Sequence, residues 1–477
     1  MVEIRFKHLR NQMKNQLRIR AVISIVTTWV TLLWVMTNIS SGQQENKRFS
    51  TVETIVFDNN SSTPSTSDSL DYNGTTTKID PTSNQKSSEW NQWRGPFRDG
   101  HLHQDEKWPN DWKGLEKQWS IELNPGYSGP ILSGDYVYTC ESNKENEVVR
   151  CINRETGKMI WQQHWQGGMK VPDYAAANGD WIRSTPIVDS DSIYIGGMRD
   201  FLICLDKSDG KIRWQIDFAQ IYKSTLPLFG MVSSPLIVDD YLMTYAGGGI
   251  VAINKKTGKI AWRTVIDSDR LEGGATSSMI TTQINGQMVL IALYRKLFAG
   301  IAPDSGKILW KQEIPAYRGT TTITPVLLEK NRIFISMYSG RSMVFEITQE
   351  NQKWKCQRQW DNNRLCYMST PVLIKDHLFA HLQTNRLACL SAKDGKLRWL
   401  SDQTFGQYMS FVANQDQLIA LDQKGILYLI RANPEKWELL DKKIVSDQET
   451  WSHLAVRGNE LYIRDLKSLT KWKWEKK

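Results

Sequence analysis

From about residue 90 onward the chain repeats one pattern of apolar and polar positions. Each unit opens with Ser/Thr and Pro, as in Ser184-Thr-Pro186, Ser233-Ser-Pro235, Thr324-Pro325 and Ser369-Thr-Pro371. A Val/Ile-rich run follows, exemplified by Pro186-Ile-Val-Asp189, and then the polar turn Ser190-Asp191. Two further apolar runs, Ile193-Tyr-Ile195 and Phe201-Leu-Ile-Cys-Leu205, lead to the tight turn Asp206-Lys-Ser-Asp-Gly210. Alternation with period two, bounded by Gly, Asn and Asp, predicts short antiparallel strands joined by hairpins.

The turn itself recurs as Gly157-Lys158, Gly210-Lys211, Gly258-Lys259, Gly306-Lys307 and Gly395-Lys396, and four residues after each Gly stands a Trp: Trp161, Trp214, Trp262, Trp310 and Trp399. Degenerate copies are expected to end near Trp354 and at Trp437, and Trp119 in the run 115–123 supplies an eighth ring. A repeat of roughly 40 to 50 residues is the period of a four-stranded propeller blade. Gly suits the turn because it adopts positive φ without steric cost. The Trp is expected to pack between neighbouring blades, where a large ring covers much apolar area. The last unit (Trp451–Val456, Glu460–Ile463, Thr470–Trp474) supplies about three strands, and Lys117–Ile121 from the other end of the chain would complete its blade. The prediction is all-β: an eight-bladed β-propeller over residues 90–477, with seven blades as the alternative if the unit around Trp437 is incomplete.

What precedes the repeat is different in kind. Residues 1–20 carry six Lys/Arg against Glu3, and the next 19 residues, 21–39, are uncharged and mostly apolar. This length is close to a membrane-spanning helix, and the flanking positive charge predicts that the N-terminus stays in the cytoplasm. The segment reads as a transmembrane anchor or a signal segment; cleavage would leave a secreted protein. Either way the propeller is expected on the exported side, periplasmic or extracellular. Residues 40–89, rich in Ser, Thr and Asn, read as a disordered linker, since they cannot bury enough apolar surface to offset their ordering entropy. The whole chain has a formal charge of +9. Beyond residue 20 the lysines scatter through turns and form no basic stripe, so nucleic acid is not an expected partner.

On the Gly-Lys-x-x-Trp turn, the Pro-led inner strand and the opening run Trp90-Asn-Gln-Trp-Arg-Gly-Pro-Phe-Arg-Asp-Gly100, the sequence resembles the quinoprotein-like repeat family. That family includes pyrroloquinoline-quinone (PQQ) dehydrogenases, the non-enzymatic outer-membrane assembly factor of the BamB type, and exported PQQ-like propellers of planctomycete-type bacteria. The resemblance is specific for fold and weak for function, because one fold hosts many functions.

It implies two kinds of chemistry. Alcohol-oxidising dehydrogenases of the family carry an adjacent Cys-Cys pair beside the quinone and a Ca²⁺ site. Here the six cysteines, Cys140, Cys151, Cys204, Cys356, Cys366 and Cys389, include no adjacent pair, and no c-type haem motif is present. Six residues before each turn Gly stand Cys151, Cys204, Ala252, Gly300 and Cys389, so three cysteines are expected to be small packing residues. Cys140 and Cys151 fall on neighbouring strands, where an exported compartment permits a disulfide, and Cys356 with Cys366 is a second possible pair.

Residues just ahead of the inner strands should line one mouth of the channel: Tyr127, Trp181, Arg183, Met231, Glu272, Arg318, Tyr367, Tyr408, Trp451 and His453. Aromatic and arginine side chains at a rim are those that protein-binding hot spots use. Alternatively, Trp181 stacking, Arg183 holding a carboxylate and Glu272 on a metal would bind PQQ, although a single carboxylate is thin for Ca²⁺. Ordinary strand-end residues would look the same. The favoured function is therefore a membrane-tethered, monomeric scaffold that binds envelope proteins or peptides, with no catalytic or metal residues assigned. A PQQ- and Ca²⁺-dependent dehydrogenase of alcohols or sugars and a polysaccharide-binding module are the alternatives.

Overall fold

A computed structural model of the chain describes residues 77–78, 89–102, 107–267 and 275–475. It contains eight four-stranded antiparallel sheets arranged as blades, the first extended by a fifth strand. Blade 1 comprises Ile131–Ser133, Tyr136–Asn143, Asn146–Asn153 and Met159–Gln166. Blades 2 to 7 follow in chain order with innermost strands Ile187–Val188, Leu236–Val238, Ile280–Ile284, Val326–Leu328, Val372–Ile374 and Met409–Asn414. Blade 8 is built from both ends of the chain: Ala455–Arg457, Glu460–Arg464 and Ser468–Trp474 pair in turn, and Leu115–Glu122 adds the outermost strand against Ser468–Trp474. The ring is thus closed by hydrogen bonds between its first and last strands, which leaves no free edge at the junction. The fifth strand of blade 1 is Thr77–Lys78, paired with Gln162 and Trp161, so two residues of the expected linker join the sheet. The rest of residues 1–88 lies outside the described residues.

The repeated turn and the repeated ring prove to be two halves of one joint. Each turn Gly sits at positive φ, 70° at Gly157 and 74° at Gly210. The Trp of the preceding blade lies directly on it. A Cβ placed at Gly210 would come within 2.6 Å of the Trp161 ring, and one at Gly157 within 2.9 Å of Trp119. Trp214 lies on Gly258 and Trp262 on Gly306 in the same way. Each indole N–H then donates to a carbonyl of the same turn: Trp119 to Arg154 at 3.0 Å, Trp161 to Lys207 at 3.2 Å, Trp214 to Lys255 at 3.1 Å and Trp262 to Pro303 at 3.0 Å. Two independent reasons therefore select Gly, backbone conformation and the absence of room for a side chain.

Behind each ring stands the small residue of the third strand. Cys151 faces Trp161, Cys204 faces Trp214, Ala252 faces Trp262, Gly300 faces Trp310 and Cys389 faces Trp399. All three cysteines are buried, as the repeat predicts. The pair considered for a disulfide is out of register: Cys140 faces Val149 and Cys151 faces Tyr138. All six cysteines are free thiols.

The degenerate units differ from expectation. In blade 5 the ring at the joint is Trp360, on Gly395 and donating to Ala392 at 3.1 Å, while Trp354 lies further out on the same strand. In blade 7 the register position holds Asp441, not Trp437. Asp441 accepts the backbone N–H of Trp112 at 2.6 Å, and Trp108 and Trp112 from the lead-in fill the adjoining core with Trp474. The spacing pointed to Trp437 because it counts residues; the strand bulge that precedes the ring sets the true position. Blade 7 is nonetheless a complete four-stranded unit.

Candidate functional site

The channel is filled by the chain itself. Residues 89–102 run across it and reach every blade. Leu132 and Val188 donate backbone N–H groups to Trp90 and Asn91 at 2.8 and 3.0 Å. Arg98, only 2% exposed, donates to Ser234 at 3.0 Å, to Met279 at 2.7 Å and also to Pro235. Trp93 donates to the Thr324 hydroxyl at 2.9 Å, and Arg94 to the Pro371 carbonyl at 2.8 Å. Gly100 and Leu102 bracket Ala413 with two backbone bonds, and His453 of blade 8 lies against the rings of Trp90 and Trp93. Burial lowers the Arg98 and Arg94 pKa values, to about 9 and about 10. Both remain cations, held by carbonyl oxygens of the inner strands. In the sequence this run stands out by its resemblance to the opening of exported PQQ-like propellers, which does not reveal its place in the channel. Its density of Arg, Trp and Gly outside the repeat register was the signal available.

Of the ten rim residues, five form one cluster where blades 7, 8, 1 and 2 meet. Tyr127 contacts Trp181 edge-on at 5.5 Å and Trp451 at 6.0 Å, and Trp451 stacks on Tyr408 at 5.9 Å. The Arg183 guanidinium lies over the Tyr127 ring at 4.9 Å. Tyr127 donates its hydroxyl to Asn178 at 2.7 Å, and Trp451 its indole N–H to Glu449 at 2.8 Å. Burial pushes the Tyr127 phenol up to about 12, so it stays a neutral donor.

The other five separate. Met231 is buried, its sulfur against Gly196, because the strand end turns it inward. His453 is buried beneath the lead-in, and burial, with Arg94 nearby, lowers its pKa to about 3, so it is neutral. Arg318 is exposed beside Tyr317, and Tyr367 pairs with Tyr338 at 5.1 Å elsewhere on the ring. Glu272 lies outside the described residues.

A quinone does not fit the side chains expected to hold it. Arg183 already donates to Gly179 at 2.7 Å and Asn178 at 3.2 Å, and the face of Trp181 is packed on Gly179. The guanidinium is thus turned onto backbone carbonyls rather than presented to a carboxylate, and one face of the indole is taken. Among the described residues no three His, Cys, Asp or Glu side chains gather as metal ligands.

Comparison with known proteins places these features in a family. A family model described as outer membrane protein assembly factor BamB matches residues 144–401. The chain is similar to the outer membrane protein assembly factor BamB of Yersinia pestis, 21% identical over 372 residues, which cover 73% of this chain and 86% of that protein. In three dimensions it is similar to BamB of Moraxella catarrhalis, with a TM-score of 0.55 and 14% identity, covering 76% of this chain and 100% of that one. The computationally designed Ika8 protein gives a TM-score of 0.53 at 8% identity, covering 75% of this chain and 99% of that one; both structural likenesses speak to fold alone. With the repeat, the interlocked rings and the family match over more than half its length, the chain belongs to the BamB-type family of PQQ-like β-propellers.

Proposed function

We propose that the protein is a non-catalytic binding module of the cell envelope that docks proteins or peptides on the mouth of its propeller. One observation carries this reading: Tyr127, Trp181, Arg183 and Trp451 form a continuous half-buried aromatic and cationic patch, backed by the buried ring of Tyr408, over a channel that residues 89–102 already fill. A filled channel directs recognition to the face. Rigid aromatic groups with one arginine are efficient anchors there, since they bring large contact area at low entropic cost. The similarity to outer membrane protein assembly factors supports an envelope setting.

Residues 21–39 would act as the tether, with residues 40–89 as the reach between membrane and propeller. Among the described residues no helix is long and apolar enough to span a membrane, and 21–39 lie outside them. Alkaline extraction of membranes tests the tether: retention supports an anchor, and release of a shortened chain supports cleavage.

The docking surface is tested by placing a photo-crosslinking amino acid at Trp181 or at Trp451 in the producing cell. Discrete adducts to the same envelope protein from both positions, absent when Leu397 on the outer strand of blade 6 carries the probe, support the reading. Adducts from Leu397 alone, or none from the mouth, overturn it. Added PQQ and Ca²⁺ that survive desalting with turnover of an alcohol or sugar would overturn the non-catalytic reading instead.

A further inference from the structure

Beside the aromatic cluster the mouth carries an apolar ledge. Some outer strands lead to the next inner strand through short connections, such as 123–130 and 401–408, whereas those at 167–186 and 218–235 are long. The two long ones are joined: Met169 and Phe229, one from each, pack on the buried Val171, Ala175 and Met198. The same connections leave Tyr174 69% and Ile221 53% exposed, with Leu226 and Leu228 half-buried. Single exposed apolar side chains are ordinary, but several on two joined loops mark a surface that something covers. Each connection also brings an exposed lysine, Lys170 and Lys223.

The start of the chain is aimed at this ledge. Thr77–Lys78 pairs antiparallel with Met159–Gln166, Thr77 opposite Gln162 and Lys78 opposite Trp161. Met159–Gln166 runs from the Gly157 turn to the long connection at 167. Residues ahead of Thr77 therefore leave toward the ledge, and those after Lys78 toward the turn side. A second observation fixes the same direction. Glu89 accepts the Ser133 hydroxyl at 2.9 Å and the Gly134 N–H at 3.0 Å, in a hairpin on the turn side, where the Arg154 N–H donates to the Asp135 carbonyl at 2.8 Å. Between residues 40 and 76 the densest apolar run is Val52-Glu-Thr-Ile-Val-Phe57, which lies outside the described residues. A coil as long as residues 58–76 spans about 24 Å on average, enough to bring that run to the ledge.

We infer that residues 52–57 dock on the ledge of their own propeller. Val52, Ile55, Val56 and Phe57 are the apolar cover, and Glu53 and Asp58 complement Lys170 and Lys223. So short a run would bind weakly from solution. Joined through residues 58–76 it is presented at roughly millimolar concentration, where weak contacts suffice. Docking folds the linker back on the mouth and withholds the ledge from other chains. The assignment is independent of the docking proposed at Tyr127, Trp181 and Trp451.

Photo-crosslinking on the purified full chain in detergent, with a photo-reactive amino acid in place of Phe57, tests it. Support is adducts within one chain that map to 167–186 or 218–235 by mass spectrometry. Combining Val52→Asp with Ile55→Asp should lower their yield about tenfold, because both remove apolar contact area. These two positions lie outside the propeller, so the loss reports docking and not unfolding. On the ledge, Ile221→Ser at an exposed site should lower the same adducts, and Ile444→Ser on the exposed outer strand of blade 7 should leave them unchanged. Absence of adducts, adducts mainly between chains or elsewhere on the propeller, or a yield indifferent to Val52→Asp with Ile55→Asp, overturns the assignment.

Discussion

The seam between blades 1 and 2 and the seam between blades 4 and 5 use the same register position and close differently. At the first, Trp161 is fully buried, lies on Gly210 of the next turn and donates to Lys207. Glu147 adds a second tie, accepting Trp165 Nε1 and the Met198 N–H, both at 2.7 Å. At the second, blade 5 has no Gly-Lys turn. Its outer strands Ser342–Glu350 and Lys353–Asn362 meet in a two-residue hairpin with Asn351 and Gln352 at φ of 48° and 62°. Trp310 finds no carbonyl there, and its buried N–H is unpartnered. It packs edge-on against Phe298 at 4.8 Å, and Phe298 reaches Phe345 of blade 5 at 5.3 Å. The ring survives as apolar filling where its polar partner is lost. The joint is therefore made of two separable parts, hydrophobic area and one directed hydrogen bond.

This contrast can be broken in four ways. Trp161→Ala should cost the most, about 4 kcal/mol by chemical denaturation, because it opens a cavity and strips a carbonyl of its donor. Gly210→Ala should cost about 2–3 kcal/mol, since the new methyl meets the Trp161 ring at a φ of 74°; Gly134→Ala, with a φ of 57° but no atom within 4 Å, should cost clearly less.

The third test is pH. Burial raises Glu147 from 4.5 to about 7, so the folded state binds more protons than the unfolded chain between those values. Stability from this group is present below pH 4.5 and declines as pH rises toward 7. The melting temperature of Glu147→Gln should show a flatter dependence across that window, and an unchanged slope would dismiss the residue as a contributor. The smallest effect is the sharpest: Trp161→Phe should exceed Trp310→Phe in cost by about 1 kcal/mol, the net worth of one hydrogen bond. Equal costs would mean the indole donor is idle at both seams.

Much of this architecture was legible because the repeat writes its joint locally. Gly, Lys and Trp sit within five residues, and the small residue opposite the ring is six positions before the Gly. Where that local grammar decays, counting fails: Trp354 and Trp437 occupy the expected spacing, but Trp360 and Asp441 occupy the register. Likewise, Tyr127, Trp181, Arg183, Tyr408 and Trp451 could be named from their place before the inner strands. Nothing in that rule could tell that His453 and Met231 turn inward, because one residue of strand alternation reverses the side chain.

The sequence by itself determined the eight-fold repeat, the closing strand around Trp119 and the packing role of three cysteines, since each depends on periodicity and short-range turn chemistry. Only the tertiary structure decided that Arg94 and Arg98 lie in the channel, with Arg98 bonded to Met279 across 181 residues of sequence. It alone joined Tyr127, Trp181 and Trp451, from three different blades, into one cluster. Such sites arise where different blades converge, and their burial and ring contacts are properties of that convergence, which no single repeat carries.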